Sequence, residues 1–330
     1  MQLNDGTRRR FLGFLAGAGA WPLAARAQKA MPVIGVLHTG SAADASHVMM
    51  AFRQGLATGG YEEGRNAAFE FRYAEGQFDR LVPLARELAR GQVTVIAAFG
   101  NAAARAAKGA TTAIPIVFAS SADPVAVGLV SSLNRPGANI TGVSILNQVL
   151  ESIRLERLMQ VVPQAKTIAY LINPSSVTAS AKMREMDYAA QLFGRRLQVF
   201  QAQGEKDFEG AFATAEQQKI GAMVVVSDTM FTNDSADLGR ASARHTVPTM
   251  GAYGTFARAG GLMSYGSDLR DAYRRVGECA ARILKGETPA DTPVQQSTKV
   301  EFVINLKTAR ALGLQIPQQL LAIADEVIEE

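Results

Sequence analysis

Short apolar runs alternate with longer helical patterns along almost the entire chain. This alternation restricts the possible folds more than any other feature of the sequence. Strand-like runs fall at 33–37, 67–73, 93–99, 116–118 and 140–145, and helical patterns over about 44–58, 78–90, 101–108 and 125–133 separate them. The theme then repeats, with strands at 167–172, 197–201, 222–226, 262–265 and 300–304 and helices over about 150–161, 178–193, 207–217, 233–244 and 268–285. A last short helix starts at Leu306. Most of the strands are apolar on consecutive positions, as in Val33-Ile34-Gly35-Val36-Leu37, which predicts parallel sheets covered on both faces. Two such series of similar size predict an α/β fold of two Rossmann-like lobes.

Ligands of open α/β sheets sit beyond the carboxyl ends of the strands, so the residues that follow each run are the candidate site. They are small, polar and glycine-bearing: Thr39, Gly40 and Ser41; Gly100 and Asn101; Ser120, Ser121 and Asp123; Asn173 and Ser175; Asp228 and Thr229. Each set precedes a helical pattern. Hydroxyls and free N–H groups at helix N-termini suit a carboxylate or another small anion. The same residues are also ordinary caps and turn formers. Asp228, directly after Val224-Val225-Val226, reads either as the partner of a ligand ammonium or as a helix cap. Tyr253 and Tyr265 read either as aromatic walls of a cleft or as packing within a lobe. The expected division of labour puts a ligand carboxylate on Thr39–Ser41, Ser120 and Ser121, and a cationic group on Asp228.

Several function classes are excluded by what the chain lacks. The three histidines, His38, His47 and His245, form no metal spacing with Cys279. There is no HExxH, GxSxG or Walker-type loop, and no dinucleotide fingerprint after the first strand. Neither a metal nor a cofactor is expected, and the chain is read as a non-enzyme. The net charge of +4 is mostly local, because Arg8, Arg9, Arg10 and Arg26 oppose only Asp5 within the first 27 residues. The remainder is close to neutral and carries no basic patch for nucleic acid. The sole cysteine lies in a helical pattern and reads as a buried apolar residue.

Those first 27 residues read as an export signal of the twin-arginine type. Arg8-Arg9-Arg10 precedes an apolar segment over 11–25, too short to span a bilayer, and Ala25-Arg26-Ala27 offers a cleavage site before Gln28. The residue after the cut is not cysteine, so no lipid anchor follows, and the expected compartment is the periplasm.

Taken together, the motifs 114–118 (Ile-Pro-Ile-Val-Phe), Asp123-Pro124 with Gly128-Leu129-Val130, 135–144 (Arg-Pro-Gly-Ala-Asn-Ile-Thr-Gly-Val-Ser), 260–266 (Gly-Gly-Leu-Met-Ser-Tyr-Gly), 283–286 and 304–309 resemble the ABC transporter substrate-binding family of the tryptophan/tyrosine type. The resemblance covers essentially all of the mature chain. It implies a type I periplasmic binding protein fold with three crossings between lobes, near 146, 267 and 293. The lobes are then 31–146 plus 268–292, and 147–267 plus 293–330. It further implies a monomer that closes on a small-molecule ligand, an aromatic amino acid among the candidates, and docks on an inner-membrane ABC permease. A sensory ligand-binding protein for a membrane receptor, or an exported enzyme, are the competing readings.

The signal generates a test. N-terminal sequencing of periplasmic material should return Gln28, and replacing Arg8 and Arg9 by Lys should trap the precursor in the cytoplasm. A periplasmic product from the doubly substituted precursor would assign export to the general secretory route instead.

Overall fold

The computed structural model describes residues 31–145, 150–176 and 178–329. The export signal read over 1–27 lies outside the described residues. The first sheet is built from β1 (Val33–His38), β2 (Ala68–Tyr73), β3 (Val95–Phe99), β4 (Ile116–Ser120) and β5 (Ile140–Ile145), with helices α1 (Ala42–Thr58), α2 (Leu81–Arg90) and α3 (Asn101–Ala110) between them. After 150 come α4 (Leu150–Val161), β6 (Thr167–Ile172), α5 (Ala179–Leu192), β7 (Arg196–Gln201), α6 (Glu205–Gln217), β8 (Ala222–Val225), α7 (Thr229–Asn233) and α8 (Ser235–Arg244). The chain continues through β9 (Thr249–Gly251), α9 (Gly254–Arg258), β10 (Met263–Ser267) and the long α10 (Leu269–Leu284). It ends with β11 (Gln295–Ser297), β12 (Val300–Asn305), α11 (Leu306–Ala311), α12 (Gln318–Ala322) and β13 (Glu326–Ile328).

These strands form two sheets. The first has the order β11-β5-β4-β3-β1-β2 and is parallel throughout. The second, β13-β12-β10-β9-β8-β6-β7, is parallel except where β12 runs against β10. Every residue of β3, β4 and β5 is buried, as two-sided coverage of a parallel sheet requires. The last passage between sheets comes after Ser297, later than the 293 read from the sequence, because Gln295–Ser297 pairs with Val143–Ile145 of the first sheet.

One expected element differs. The helix expected over 125–133 is only a set of turns. Asp123 accepts the N–H groups of Val125 and Ala126, but Gly128 then adopts φ +71, where a right-handed helix cannot continue. Lys108 takes the freed carbonyls of Gly128 and Leu129 at 2.7 and 3.0 Å. The helix expected over 233–244 is α8, and a separate short helix, α7, precedes it and ends at Asn233. Short elements that the apolar pattern left unmarked include α7, β9, α9, β11, α12 and β13, each five residues or fewer.

Helix α10 carries the chain back from the second sheet to the first, where it packs along α1. The two backbones touch. A Cβ at Gly55 would lie 1.9 Å from the carbonyl oxygen of Arg274, and one at Gly277 would lie 2.2 Å from that of Phe52. A Cβ at Gly59 would lie 2.2 Å from the Cβ of Ala281, one turn further along. Small residues four apart on both helices therefore set the approach, and Phe52, Leu56, Val276 and Cys279 fill the flanks as fully buried residues. Gly277→Ala should cost on the order of 1–3 kcal/mol or more, since backbone has to move to admit the methyl group. Urea denaturation followed by circular dichroism measures it, and an unchanged midpoint would show that the helices can part without penalty.

Candidate functional site

The carboxyl ends of both sheets are where the sequence reading placed a ligand. Thr39 follows β1 and is buried, and its Oγ1 lies 3.1 Å from Nδ2 of Asn233 at the end of α7, which follows β8 of the second sheet. A Cβ on Gly40 would stand 3.2 Å from the same Asn233 side chain. Gly100 has φ +100 and ψ 151, a region open to glycine almost alone. Its Cβ would come within 3.0 Å of Thr39 and 3.3 Å of Thr229. Thr39, Gly40, Gly100 and Thr229 thus meet, first sheet against second. Ser41, half-buried, offers its carbonyl to Ala45 in the first turn of α1.

Other expected site residues bind one another. Asn101 Oδ1 accepts from Ser120 Oγ at 2.7 Å and from the N–H of Ala122 at 3.2 Å, with half-buried Ser121 between. Asp123 is exposed and caps the following turn. Asp228 is the N-cap of α7: its Oδ1 accepts from Met230 N at 3.0 Å and from Asn173 Nδ2 at 3.1 Å. Asn173 accepts in turn from the N–H of exposed Ser175. The hydroxyl of buried Tyr253 lies 3.3 Å from Ser227 Oγ. Tyr265 packs within its own lobe, under the guanidinium of Arg157 at 4.4 Å and edge-on to Phe302.

Between the sheets lies a cavity of about 270 Å³. His38, His47, Thr232, Asn233, Ser235, Thr255 and Tyr273 supply its polar lining. His38 Nδ1 accepts the N–H of Gly40 at 2.9 Å, which places the ring proton on Nε2, facing Tyr273 Oη at 3.1 Å. The Tyr273 hydroxyl therefore accepts from His38 and keeps its own proton to donate. Burial, reinforced by Tyr253 and Tyr73, raises its pKa well above the ordinary phenol value, so it stays protonated. Its ring stacks on Phe99 with centroids 4.3 Å apart. Of these lining residues, His38 closes a strand and was visible as a strand end. Asn233, Ser235, Thr255 and Tyr273 sit within helices, where no pattern of the sequence set them apart.

Beneath the same edge of the second sheet is a buried ionic cluster. Glu151 Oε1 lies 3.0 Å from Lys182 Nζ and 3.9 Å from Arg154 Nη1, and it accepts the N–H of Ser227 at 3.3 Å. Tyr170 donates to the other carboxylate oxygen, and Lys182 donates to the carbonyl of Ser227. Burial first, then the neighbouring Glu151 carboxylate, pushes the Tyr170 hydroxyl well above its usual pKa. Arg154 is fully buried and donates Nε–H to the carbonyl of Tyr265 at 2.6 Å. Burial lowers its pKa, an effect that Glu151 partly offsets.

Residues 34–328 match the family model of the ABC transporter substrate binding proteins. The chain belongs to that family. Its fold is that of the type I periplasmic binding proteins. Over 266 residues this family member is 26% identical to a tyrosine-binding protein of Clostridioides difficile, covering 80% of this chain and 76% of the relative. A Streptococcus pneumonia ABC domain solved in complex with L-Trp is 26% identical with a TM-score of 0.81, covering 90% of this chain and 99% of that one. A ligand-free, open substrate binding protein with adhesive properties from Clostridium difficile is 25% identical, but its TM-score is 0.66, with 91% and 100% coverage. Among the described residues of this substrate-binding protein, no helix is long and apolar enough to cross a membrane.

The contact at Gly100 generates a test. Gly100→Ala forces a side chain into a glycine-only conformation, at a cost on the order of 1–3 kcal/mol. Its methyl group also presses on Thr39 and Thr229. The variant should unfold at lower urea, and its radius of gyration by small-angle scattering should exceed that of the parent. An unchanged radius would mean that the two sheet edges do not need this contact to stay together.

Proposed function

We propose that this chain is the solute-capture subunit of an ABC importer, working in the periplasm, and that its two lobes close on a small carboxylate-bearing solute, with aromatic amino acids the leading class. The observation that carries this reading is the cavity between the facing sheet edges. Its volume of about 270 Å³ suits a single amino acid, and its lining pairs hydroxyl and amide groups with the Tyr273 ring. The relatives point the same way, since one is a tyrosine-binding protein and another was solved with L-Trp.

Closure follows from the same geometry. The chain passes between the sheets between β5 and α4, at 267–268 and after Ser297, so a small rotation about these passages separates the edges without disturbing either core. At nearly equal identity, the likeness is higher to the complex than to the open, ligand-free structure, in keeping with lobes brought together here. A ligand that touches both lobes stabilises only the closed arrangement, and that difference in affinity drives the closure. A permease that recognises the closed arrangement then receives only loaded protein.

In this reading Asp228 serves twice. Both of its internal bonds go to Oδ1, as cap and as acceptor from Asn173, and Oδ2 is left to meet a ligand ammonium. L-Tyrosine and L-tryptophan should each raise the melting temperature and shrink the radius of gyration. Asp228→Ala should weaken L-tyrosine binding roughly 30- to 150-fold, the loss of one charge-assisted contact of about 2–3 kcal/mol. The same substitution should change the binding of 3-(4-hydroxyphenyl)propionate, which lacks the amine, far less. Calorimetry with both ligands on the parent protein and on Asp228→Ala decides the matter. Equal losses for both ligands would make Asp228 a helix cap and nothing more, and no binding of either amino acid would remove aromatic amino acids from the proposal.

A further inference from the structure

The cluster under the second sheet edge is incompletely paired. Arg154 has no exposed surface, and its Nη1 and Nη2 have no hydrogen-bond partner among the described residues. A buried guanidinium has five N–H donors and cannot lose its charge by ordinary titration, so unmet donors call for an acceptor, preferably an anion. The nearest carboxylate cannot supply it. Glu151 already serves Tyr170, Lys182 and the N–H of Ser227, and its approach to Nη1 is 3.9 Å. Among the described residues, Arg154 and Lys182 stand against Glu151 alone, so the cluster holds one unmatched positive charge.

Its place in the fold gives that charge a use. Arg154 is on the second turn of α4, just beyond the first passage between sheets, and its Nε holds the carbonyl of Tyr265, two residues before the end of β10. Nη2 borders Gly266, where a Cβ would lie 3.5 Å from it. The next residue, Ser267, lines with Tyr253 a small recess that adjoins the main cavity through His47, Thr255 and Leu269. The unmet donors therefore lie behind the inner end of the cleft, where the lobes are joined. On the first lobe, by contrast, the Ser120 hydroxyl and the Asn101 carbonyl are taken up by each other.

We propose that Arg154 is the anion-holding group of the site, so that the ligand carboxylate is received by the second lobe, at Nη1 and Nη2, and not by the serine and threonine loops of the first. The assignment rests on the capture reading above and adds the orientation of the ligand within the cleft: carboxylate inward, toward the passages, and side chain outward, toward Tyr273 and Phe99. A paired fork of N–H groups matches the two oxygens of a carboxylate, which lysine cannot reproduce.

Acetate and its neutral isostere acetamide are the probes. At constant ionic strength, acetate should raise the melting temperature of the parent protein where acetamide does not. The acetate effect should vanish in Arg154→Met and be reduced in Arg154→Lys. Equal acetate stabilisation in the parent and in Arg154→Met would overturn the assignment. Should Arg154→Met fail to fold, the parent protein labelled with ¹⁵N-arginine gives the answer: the Arg154 Nε and Nη resonances should move on adding acetate, and their staying in place at saturating acetate would overturn the assignment equally. L-Tyrosine separates the two proposals. Acetate shifts at Arg154 without L-tyrosine binding would uphold the anion site and sink the aromatic amino-acid reading. L-Tyrosine binding with those resonances unmoved would do the reverse.

Discussion

Backbone-to-backbone contact between α1 and α10 is the constraint on which the rest of the molecule depends. Helix α10 starts at the second sheet, where Asp268 caps its first turn, and it must then lie against the first. It can do so only because Gly55 and Gly277 remove the side chains that would hold the helices apart. That close approach brings the first turn of α10 to the mouth of the cleft. Tyr273 is thereby laid on Phe99 and within reach of His38. A packing requirement between two helices of one lobe thus sets the position of a polar group in the cavity between lobes. The passages are fixed at the same place: Lys299 pairs with Asp268 through both its side chain and its carbonyl, which ties two of the connecting segments together.

Polar chemistry at the sheet edges divides into groups that are consumed internally and groups that are not. Ser120, Asn101, Asn173 and Oδ1 of Asp228 spend their hydrogen bonds on shaping loops. Such residues make the edge rigid, which is a contribution to binding in its own right, because a preordered site loses less entropy when a ligand arrives. Among the described residues, groups with capacity to spare include the Tyr273 hydroxyl, the outer oxygen of Asp228 and the guanidinium of Arg154. They carry a donor, a negative charge and a positive charge, a set suited to a zwitterion.

Much of this was legible in the sequence. The parallel α/β architecture follows from strands apolar on consecutive positions, because burial on both faces leaves no alternation to read. The loops that face each other across the cleft follow from the rule that helix N-termini and strand carboxyl ends coincide, and Thr39, Gly40, Gly100 and Thr229 do meet there. What was not legible depends on tertiary distance. Tyr265 lies within β10, and its neighbour Arg157 comes from α4, more than a hundred residues away in the sequence, a contact that no local pattern encodes. Asn233 and Tyr273 reach the cavity from helices, and Arg154 sits in an amphipathic pattern in which one buried arginine looks like any surface basic residue. The helix expected over 125–133 failed for a more local reason, a single glycine in a left-handed conformation.

The lone thiol of the chain has a practical consequence. Cys279 is buried in the contact of α10 with α1, and burial pushes its pKa up to about 11. At neutral pH almost none of it is thiolate, and maleimides or similar reagents have neither the nucleophile nor the access they need. A cysteine introduced on the exposed surface of each lobe can therefore carry a fluorophore in the presence of the natural one. The molecule comes with a silent background for distance measurements, and its opening and closing can be followed one molecule at a time.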